Sequence, residues 1–393
     1  FVMTIGPRYL SDKALDNLKY YKYAAEDRSL LVKWFLGAFW NWVVSFCPLW
    51  VAPNLITASG FSLILLNFTC LVIYCPTLSE ECPPWVYLSW VIGIFTYQVL
   101  DNIDGKQARR TSSSSPLGEM FDHGCDSLFS TLSVITLCAA FQFPPWTAHF
   151  FMLSIMLPFY FSHWEEWHTG KLILSAYGNP TEAQLGMCVV HLITFFQGTQ
   201  WWQQSWLSCA NRWFSFLPIW DYFTPIDCPV NMFVFYAFGS LATFAVLDNT
   251  RVVLADIIKN KKNIIKSLLL LVPIVVNIGV STYWFEISAD RVLENHTIMC
   301  IVFVGLLCSY TLDIMLMNRI TKTDFSIFKF CFVLPVVGLV NNIYNPEYDE
   351  LCLYILFGIL LVNYAHMVVS VINELCDYLK IRAFKIVPKK QQQ

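Results

Sequence analysis

Long apolar runs alternate with short polar segments along almost the whole chain. Ten of these runs are long enough, or nearly so, to cross a hydrocarbon layer of about 30 Å as helices. The pattern predicts an all-α protein, a polytopic membrane helix bundle of about ten transmembrane helices. Several runs are shorter than a membrane-spanning helix usually is. The pattern therefore predicts the presence of each helix better than the residues at which it begins and ends. The predicted spans are residues 53–74, 84–100, 118–140, 146–161, 183–196, 231–247, 267–284, 298–317, 328–343 and 351–372.

Composition and charge support this class and give it an orientation. Hydrophobic residues make up 56% of the chain and charged residues only 13%, which is typical of an integral membrane protein. Of the 25 Lys and Arg residues, all but Arg212 and Arg291 fall in segments that the alternating spans place on one side. By the positive-inside rule this side is cytosolic, with both termini on it. We expect the lipid bilayer as a partner and no nucleic acid.

The segment before the first span has a different pattern. Residues 16–46 mix Leu, Tyr, Trp and Phe with Lys and Arg, which predicts an amphipathic helix lying in the membrane interface. A solvated helix that packs on its own bundle is the alternative. We therefore divide the chain into an interfacial segment (1–50), a core that holds the polar motif described next (51–200), a C-terminal transmembrane bundle for lipid access or dimerisation (201–380) and a basic cytosolic tail (381–393).

The most informative polar residues are four aspartates in the sequences DNIDGKQARR (101–110) and GEMFDHGCD (118–126). Asp101 and Asp104, and likewise Asp122 and Asp126, are three or four positions apart, so each pair projects from one face of a helix. Acids that border apolar spans are costly and usually functional. Hard oxygen ligands suit Mg²⁺, Mn²⁺ or Ca²⁺ rather than zinc. The alternative is that these acids cap helix ends or pair with neighbouring cations.

The spacing D-x2-D-G-x2-A-R-x8-G-x3-D-x3-D resembles the signature of the CDP-alcohol phosphotransferase family, without a gap. The segments LKYYKY, APNLIT and SHWEEWHTGKL resemble its eukaryotic choline/ethanolamine phosphotransferase branch. In the motif, Gly105, Ala108 and Gly118 keep the surface shallow enough for a nucleotide to approach the backbone. Arg109 offers a planar fork for phosphate.

The resemblance implies a fold, a reaction and a location. Residues 51–200 would be the catalytic core, with two divalent ions, Mg²⁺ or Mn²⁺, held by the four aspartates. The substrates would be CDP-choline or CDP-ethanolamine and diacylglycerol, giving phosphatidylcholine or phosphatidylethanolamine and CMP, the last step of the Kennedy pathway. The protein would lie in the endoplasmic reticulum or Golgi membrane with its site facing the cytosol, and a homodimer is one arrangement open to it.

The transfer needs a base for the acceptor hydroxyl. We predict His123, because it adjoins Asp122 and its ordinary pKa near 6.5 suits proton removal at neutral pH. Asp126 is the alternative base, since the last aspartate is often given that role in the family, although a carboxylate bound to cations is a poor base. A third interpretation makes His123 a residue that only orients an aspartate.

Three further residues are candidates for substrate binding. Asn54, at the entrance of the first span, is placed to touch the nucleotide, although Pro53 and Asn54 also suit an ordinary helix start. Trp164 and Glu165 combine an aromatic ring with an acid, which favours a cationic headgroup. Aromatic belts at membrane interfaces produce the same composition.

Two other functions compete with the aminoalcohol reaction. The same site could run CDP-diacylglycerol chemistry with a soluble alcohol as acceptor, which the length and the quoted segments disfavour. A divalent-cation or lipid transporter would use the acids as a passage site, but should carry them near mid-bilayer. The sequence does not decide between choline and ethanolamine.

Overall fold

The computed structural model describes residues 8–175, 178–214, 227–325 and 330–386. Their regular structure is almost entirely helical, with one parallel sheet of two short strands, β1 (Ala25–Asp27) and β2 (Leu172–Leu174). The all-α class is thereby confirmed. The α-helices in chain order are α1 (Asp12–Asn17), α2 (Gly37–Phe46), α3 (Pro53–Tyr74), α4 (Pro84–Arg110), α5 (Pro116–Phe141), α6 (Pro145–Thr169), α7 (Pro180–Gln197), α8 (Trp206–Phe214), α9 (Val230–Lys259), α10 (Ile264–Leu269), α11 (Val272–Ile287), α12 (Val292–Asn295), α13 (Thr297–Ile320), α14 (Val333–Tyr344) and α15 (Asp349–Leu379).

The predicted spans fall on helices. α3 covers the first span without a shift, and α4 continues ten residues beyond the second. The seventh span falls on α10 and α11, with Pro273 in the first turn of α11, where its missing N–H costs nothing. Residues 328–329 of the ninth span lie outside the described residues. Five helices, α3, α5, α9, α13 and α15, are long and apolar enough to cross a membrane, and α11 is a shorter apolar helix. Membrane crossing by the other helices stays a prediction.

Connections between the helices gather at two opposite ends of the bundle. At one end the turn after α5 meets the α3–α4 connection, where Gln142 Nε2 donates to the Glu80 carbonyl at 3.3 Å. At the other end Lys262 Nζ, between α9 and α10, donates to the His168 carbonyl at 2.7 Å. The C-terminal end of α4 and the N-terminal end of α5, which carry the aspartates, belong to this second end.

Two helices form the centre of the bundle. In the most apolar stretches of α5 and α13, 78% and 83% of the residues are buried, against 11% in α9. Gly305 of α13 lets the two central helices approach closely, because a Cβ at this position would lie 2.3 Å from Cγ2 of Thr131 in α5. The metal-site prediction therefore falls on one of the most enclosed helices of the molecule.

The predicted continuous helix over residues 16–46 is wrong. α1 ends at Asn17, a single 3-10 turn follows at Leu18–Tyr20, then β1, and the chain becomes helical again only near residue 30. β1 pairs with β2, and Glu26 forms ion pairs with Arg28 and Lys171. These two cations lower the pKa of Glu26 to about 2. The pairing joins Ala25 to Leu172, 147 positions away, and has no local signature. The mixture of apolar and cationic residues in this segment therefore does not reveal the strand.

Candidate active site

Three of the four aspartates form one half-buried cluster. Asp101 lies near the end of α4, and Asp122 and Asp126 lie one turn apart on α5. Each offers an oxygen, and these oxygens lie within 4.8 Å of one another. Like charges this close repel strongly in a site with little water. One oxygen of Asp101 and one of Asp122 are buried without a hydrogen-bond donor among the described residues. A divalent cation fits this cluster, because it would satisfy these oxygens and offset their charge.

The remaining contacts orient the carboxylates. Tyr97 donates its hydroxyl proton to Asp126 Oδ1 at 2.8 Å, and Thr57 of α3 donates to Asp104. Asp104 is outside the cluster of three and lies against the neighbouring cavity. The structure therefore divides the four predicted ligands into a compact group of three and one acid held by α3.

A cavity of about 690 Å³ opens beside this cluster. This volume is in the range of small-ligand sites. It is lined by both Asp104 and Asp122. Five predicted substrate-binding residues, from α3, α4 and α5, line the same cavity: Asn54, Gly105, Ala108, Arg109 and Gly118.

The two glycines leave room in this cavity. A Cβ at Gly105 would come no closer than 3.5 Å to the protein, and one at Gly118 no closer than 3.7 Å. These are ordinary van der Waals distances, so packing within the chain does not require glycine at either position. The open space lies where the sequence predicts a nucleotide.

Sequence reasoning missed a group of residues that enclose the cavity from the N-terminal segment. Tyr21 and Tyr23 line it, and the Tyr21 hydroxyl donates to Glu119 at the start of α5. Burial and the adjacent Glu119 carboxylate raise the pKa of Tyr21. Glu119 also forms an ion pair with Arg319 at the end of α13, which lies 3.3 Å from Glu166 as well. The motif LKYYKY contained both tyrosines, but nothing in it indicated their partner.

His123 is buried on α5 and contacts a second histidine. His163 Nδ1 lies 3.0 Å from the Phe159 carbonyl, which can only accept, so this nitrogen carries the proton. In the neutral ring His163 Nε2 then accepts from His123 Nδ1, 3.3 Å away. His123 therefore presents a lone pair at Nε2, which is buried and has no partner among the described residues. This is the tautomer that a general base needs. His123 itself, like Glu165, is not among the residues that line the cavity, whereas its neighbour Asp122 is.

Trp164 and Glu165 lie apart from the cavity. Trp164 is 1% exposed, and its indole N–H donates to the carbonyl of Ser267 in α10 at 3.0 Å. Glu165 is buried and is not among the cavity-lining residues. A buried aromatic side chain with a satisfied N–H is what helix packing alone requires. The structure thus gives no contact between these two residues and the cavity.

Clustered carboxylates lie beside a cavity lined by Arg109, at one end of a helical bundle with membrane-spanning character. These features define the class of this site as a candidate metal-dependent membrane enzyme site. The model of the CDP-alcohol phosphatidyltransferase family matches residues 50–217, which include the cluster and most of the cavity. CDP-alcohol phosphatidyltransferase class-I family protein 2 of Dictyostelium discoideum is 33% identical, over 96% of this chain and 88% of the relative. The chain belongs to the CDP-alcohol phosphatidyltransferase family.

Two relatives with more specific names are similar over nearly their whole length. Choline/ethanolaminephosphotransferase 1 of Arabidopsis thaliana is 30% identical over 97% of this chain and 99% of the relative. Choline/ethanolaminephosphotransferase 1 of Saccharomyces cerevisiae is also 30% identical, with the same coverage of both chains. The similarity therefore extends well beyond the family motif, into α9 to α15.

Proposed function

We propose that this protein transfers phosphocholine or phosphoethanolamine from CDP-choline or CDP-ethanolamine to diacylglycerol, releasing CMP. The observation that carries the proposal is the cluster of Asp101, Asp122 and Asp126, with oxygens within 4.8 Å of one another, beside a cavity lined by Arg109. The names of the full-length relatives in Arabidopsis and yeast support the aminoalcohol substrates.

Asp101, Asp122 and Asp126 would hold the divalent ions, with Asp104 completing the set. Two Mg²⁺ or Mn²⁺ ions held there would neutralise charge on the diphosphate and on the departing CMP. Arg109, whose guanidinium matches phosphate geometry, orients the same group. Asn54 and the open faces at Gly105 and Gly118 form the part of the cavity that receives the nucleotide.

His123 removes the proton of the acceptor hydroxyl through Nε2. The hydrogen bonds from His123 to His163 and on to the Phe159 carbonyl hold the ring in the required tautomer. As the hydroxyl oxygen attacks the phosphorus that bears the small alcohol, its proton passes to His123 and the bond to CMP breaks. Transfer of this kind depends mainly on positioning and electrostatics, to which a base adds proton removal.

The acceptor and the location follow from the membrane character of the bundle. Diacylglycerol is membrane-bound, so it would reach the site laterally between helices. We place the protein in the endoplasmic reticulum or Golgi membrane, with the aspartates at the cytosolic end, where CDP-alcohols are found. The distribution of Lys and Arg supports this orientation.

The test is an assay of the purified protein with radiolabelled CDP-choline and CDP-ethanolamine, each with diacylglycerol. Labelled phosphatidylcholine or phosphatidylethanolamine is expected, with activity lost in EDTA and restored by Mg²⁺ or Mn²⁺. A parallel reaction supplies CDP-diacylglycerol and a soluble alcohol. Product in that reaction alone would overturn the proposal in favour of the CDP-diacylglycerol chemistry, and product in none would overturn both.

A further inference from the structure

The segment that directly follows α15 returns to the cavity, far from the family motif in sequence. α15 ends at Leu379, and Lys380 adopts a left-handed conformation with φ of 57°. This reverses the chain, and the Ile381 N–H donates to the Cys376 carbonyl at 3.1 Å. The six residues that follow α15's cap, 381–386, form what we call the C-terminal turn.

The C-terminal turn is fixed both internally and against α5. Arg382 and Lys385 pair as an isolated antiparallel β-bridge, which places their side chains at the two sides of a tight turn. Phe384, at the tip, packs edge-on against Phe121 with ring centroids 5.7 Å apart. Phe121 immediately precedes Asp122, so this contact connects the turn to the helix that carries the aspartates.

Both cations of the turn lie at the cavity. Arg382 and Lys385 line it together with Arg109, which comes from α4. Neither has an ion-pair partner among the described residues, although Asp104 and Asp122 line the same cavity. Two positive side chains left without an anion, at a cavity that also holds Arg109, are suited to a phosphorylated ligand.

We propose that Arg382 and Lys385 bind the diphosphate of the CDP-alcohol, together with Arg109 of the same cavity. This inference rests on the proposed function. The turn lies outside residues 50–217, the part that matches the family model, and supplies a substrate contact that the motif lacks. Since the diphosphate is present in substrate and transition state alike, its cations should act mainly on substrate affinity.

The test compares Arg382→Gln/Lys385→Gln with the wild type in full-length purified protein. We expect the KM for CDP-choline to rise roughly 10-fold with kcat changed less than about 2-fold, the signature of lost uniform binding. The KM for diacylglycerol should not move. Lys380→Gln is the matched control, because it removes a cation from the same segment at a position that does not line the cavity.

A second measurement does not depend on turnover. Binding of CMP to the detergent-solubilised protein, with Mg²⁺ present, should weaken in the double variant and in Phe384→Ala, but not in Lys380→Gln. Wild-type CMP affinity and wild-type KM in the double variant would overturn this inference and leave the proposed function intact. A wild type that binds CMP but transfers nothing to diacylglycerol would overturn the proposed function alone.

Discussion

At the scale of single residues, the site depends on carboxylates that have too few hydrogen-bond donors of their own. Asp101 and Asp122 each keep a buried oxygen without a donor, whereas Asp104 accepts from Thr57 and Asp126 from Tyr97. Buried charges persist when they are paired or coordinate a metal. A divalent cation would satisfy the buried oxygens of Asp101 and Asp122 and offset the charge of both carboxylates.

Replacing either of them should remove activity without unfolding the protein. In Asp101→Asn or Asp122→Asn we expect kcat/KM to fall by roughly 10³-fold or more, since a metal ion supplies several kcal/mol of transition-state stabilisation. Mn²⁺ binding, measured by electron paramagnetic resonance, should weaken in parallel. Asp377→Asn, an exposed acid at the end of α15, is the control. Near wild-type turnover in both site variants would contradict the metal site.

Substitution of each of the two contacting histidines should distinguish a catalytic base from a residue that positions it. His123→Ala should lower kcat by roughly 10² to 10⁴-fold with little change in CDP-alcohol binding. His163→Ala should lower kcat less, roughly 10 to 100-fold, because His123 keeps its ring but loses the acceptor that fixes its tautomer.

The pH profile distinguishes these roles from a structural one. If His163 positions His123, the acid limb of the kcat profile should shift in His163→Ala, while metal affinity stays at the wild-type value. If saturating Mg²⁺ instead restores the wild-type rate in His123→Ala, then His123 only orients an aspartate, and Asp126 becomes the better base.

Local spacing predicted the residues of α4 and α5 but not those brought to them from elsewhere. Asp101, Asp122 and Asp126 were recognisable because i to i+4 spacing fixes a helix face. The contact of Tyr21 with Glu119, across 98 positions, has no periodic signal in the sequence. Trp164 shows a different limit of the sequence, because aromatic and acidic residues at a helix end suit headgroup binding and core packing equally well.

At the scale of elements, the packing of α13 on α5 holds the metal-site helix in place. Gly305→Ala would put a Cβ 2.3 Å from Thr131 Cγ2, far inside van der Waals contact, so the helices must separate or shift. We expect the thermal unfolding temperature to fall, because overpacking costs about 1 to 3 kcal/mol. Activity per folded molecule should fall as well.

A second substitution tests whether the clash with Thr131 causes the loss of stability in Gly305→Ala. Thr131→Ala removes both γ atoms that would clash, so Gly305→Ala/Thr131→Ala should recover part of the lost stability. Gly279→Ala in α11 is the control, since a Cβ there would meet nothing within 4 Å. A double variant no more stable than Gly305→Ala would show that close helix contact is not what glycine provides.

α2 has the apolar surface expected of a helix at the membrane, although it is shorter than the predicted helix over residues 16–46. On α2, Trp40 and Val44 are buried against the bundle, while Trp42 and Phe46 are 60% and 69% exposed. A helix that is apolar on both faces suits contact with lipid on the outer one. Its interfacial location remains a prediction, and so does the homodimer.

At the scale of the whole molecule, the connections between helices lie at two ends of the bundle. The orientation prediction can therefore be stated as which end faces the cytosol. The connection between α4 and α5 lies at the same end as Lys262 and His168. The connections before α4 and after α5 meet at the other end. If the helices cross a membrane, the first end is the one rich in Lys and Arg, and thus cytosolic.

The orientation can be measured with single cysteines introduced into a variant whose accessible native cysteines are replaced. Ser113→Cys, in the loop beside the nucleotide cavity, should react with an impermeant maleimide in sealed right-side-out microsomes before any permeabilisation. Ser79→Cys, between α3 and α4, and Asp290→Cys, between α11 and α12, should react only after the membrane is opened. The opposite pattern would place the aspartates in the lumen, away from the cytosolic CDP-alcohols, and would contradict both the orientation and the proposed route of the nucleotide substrate.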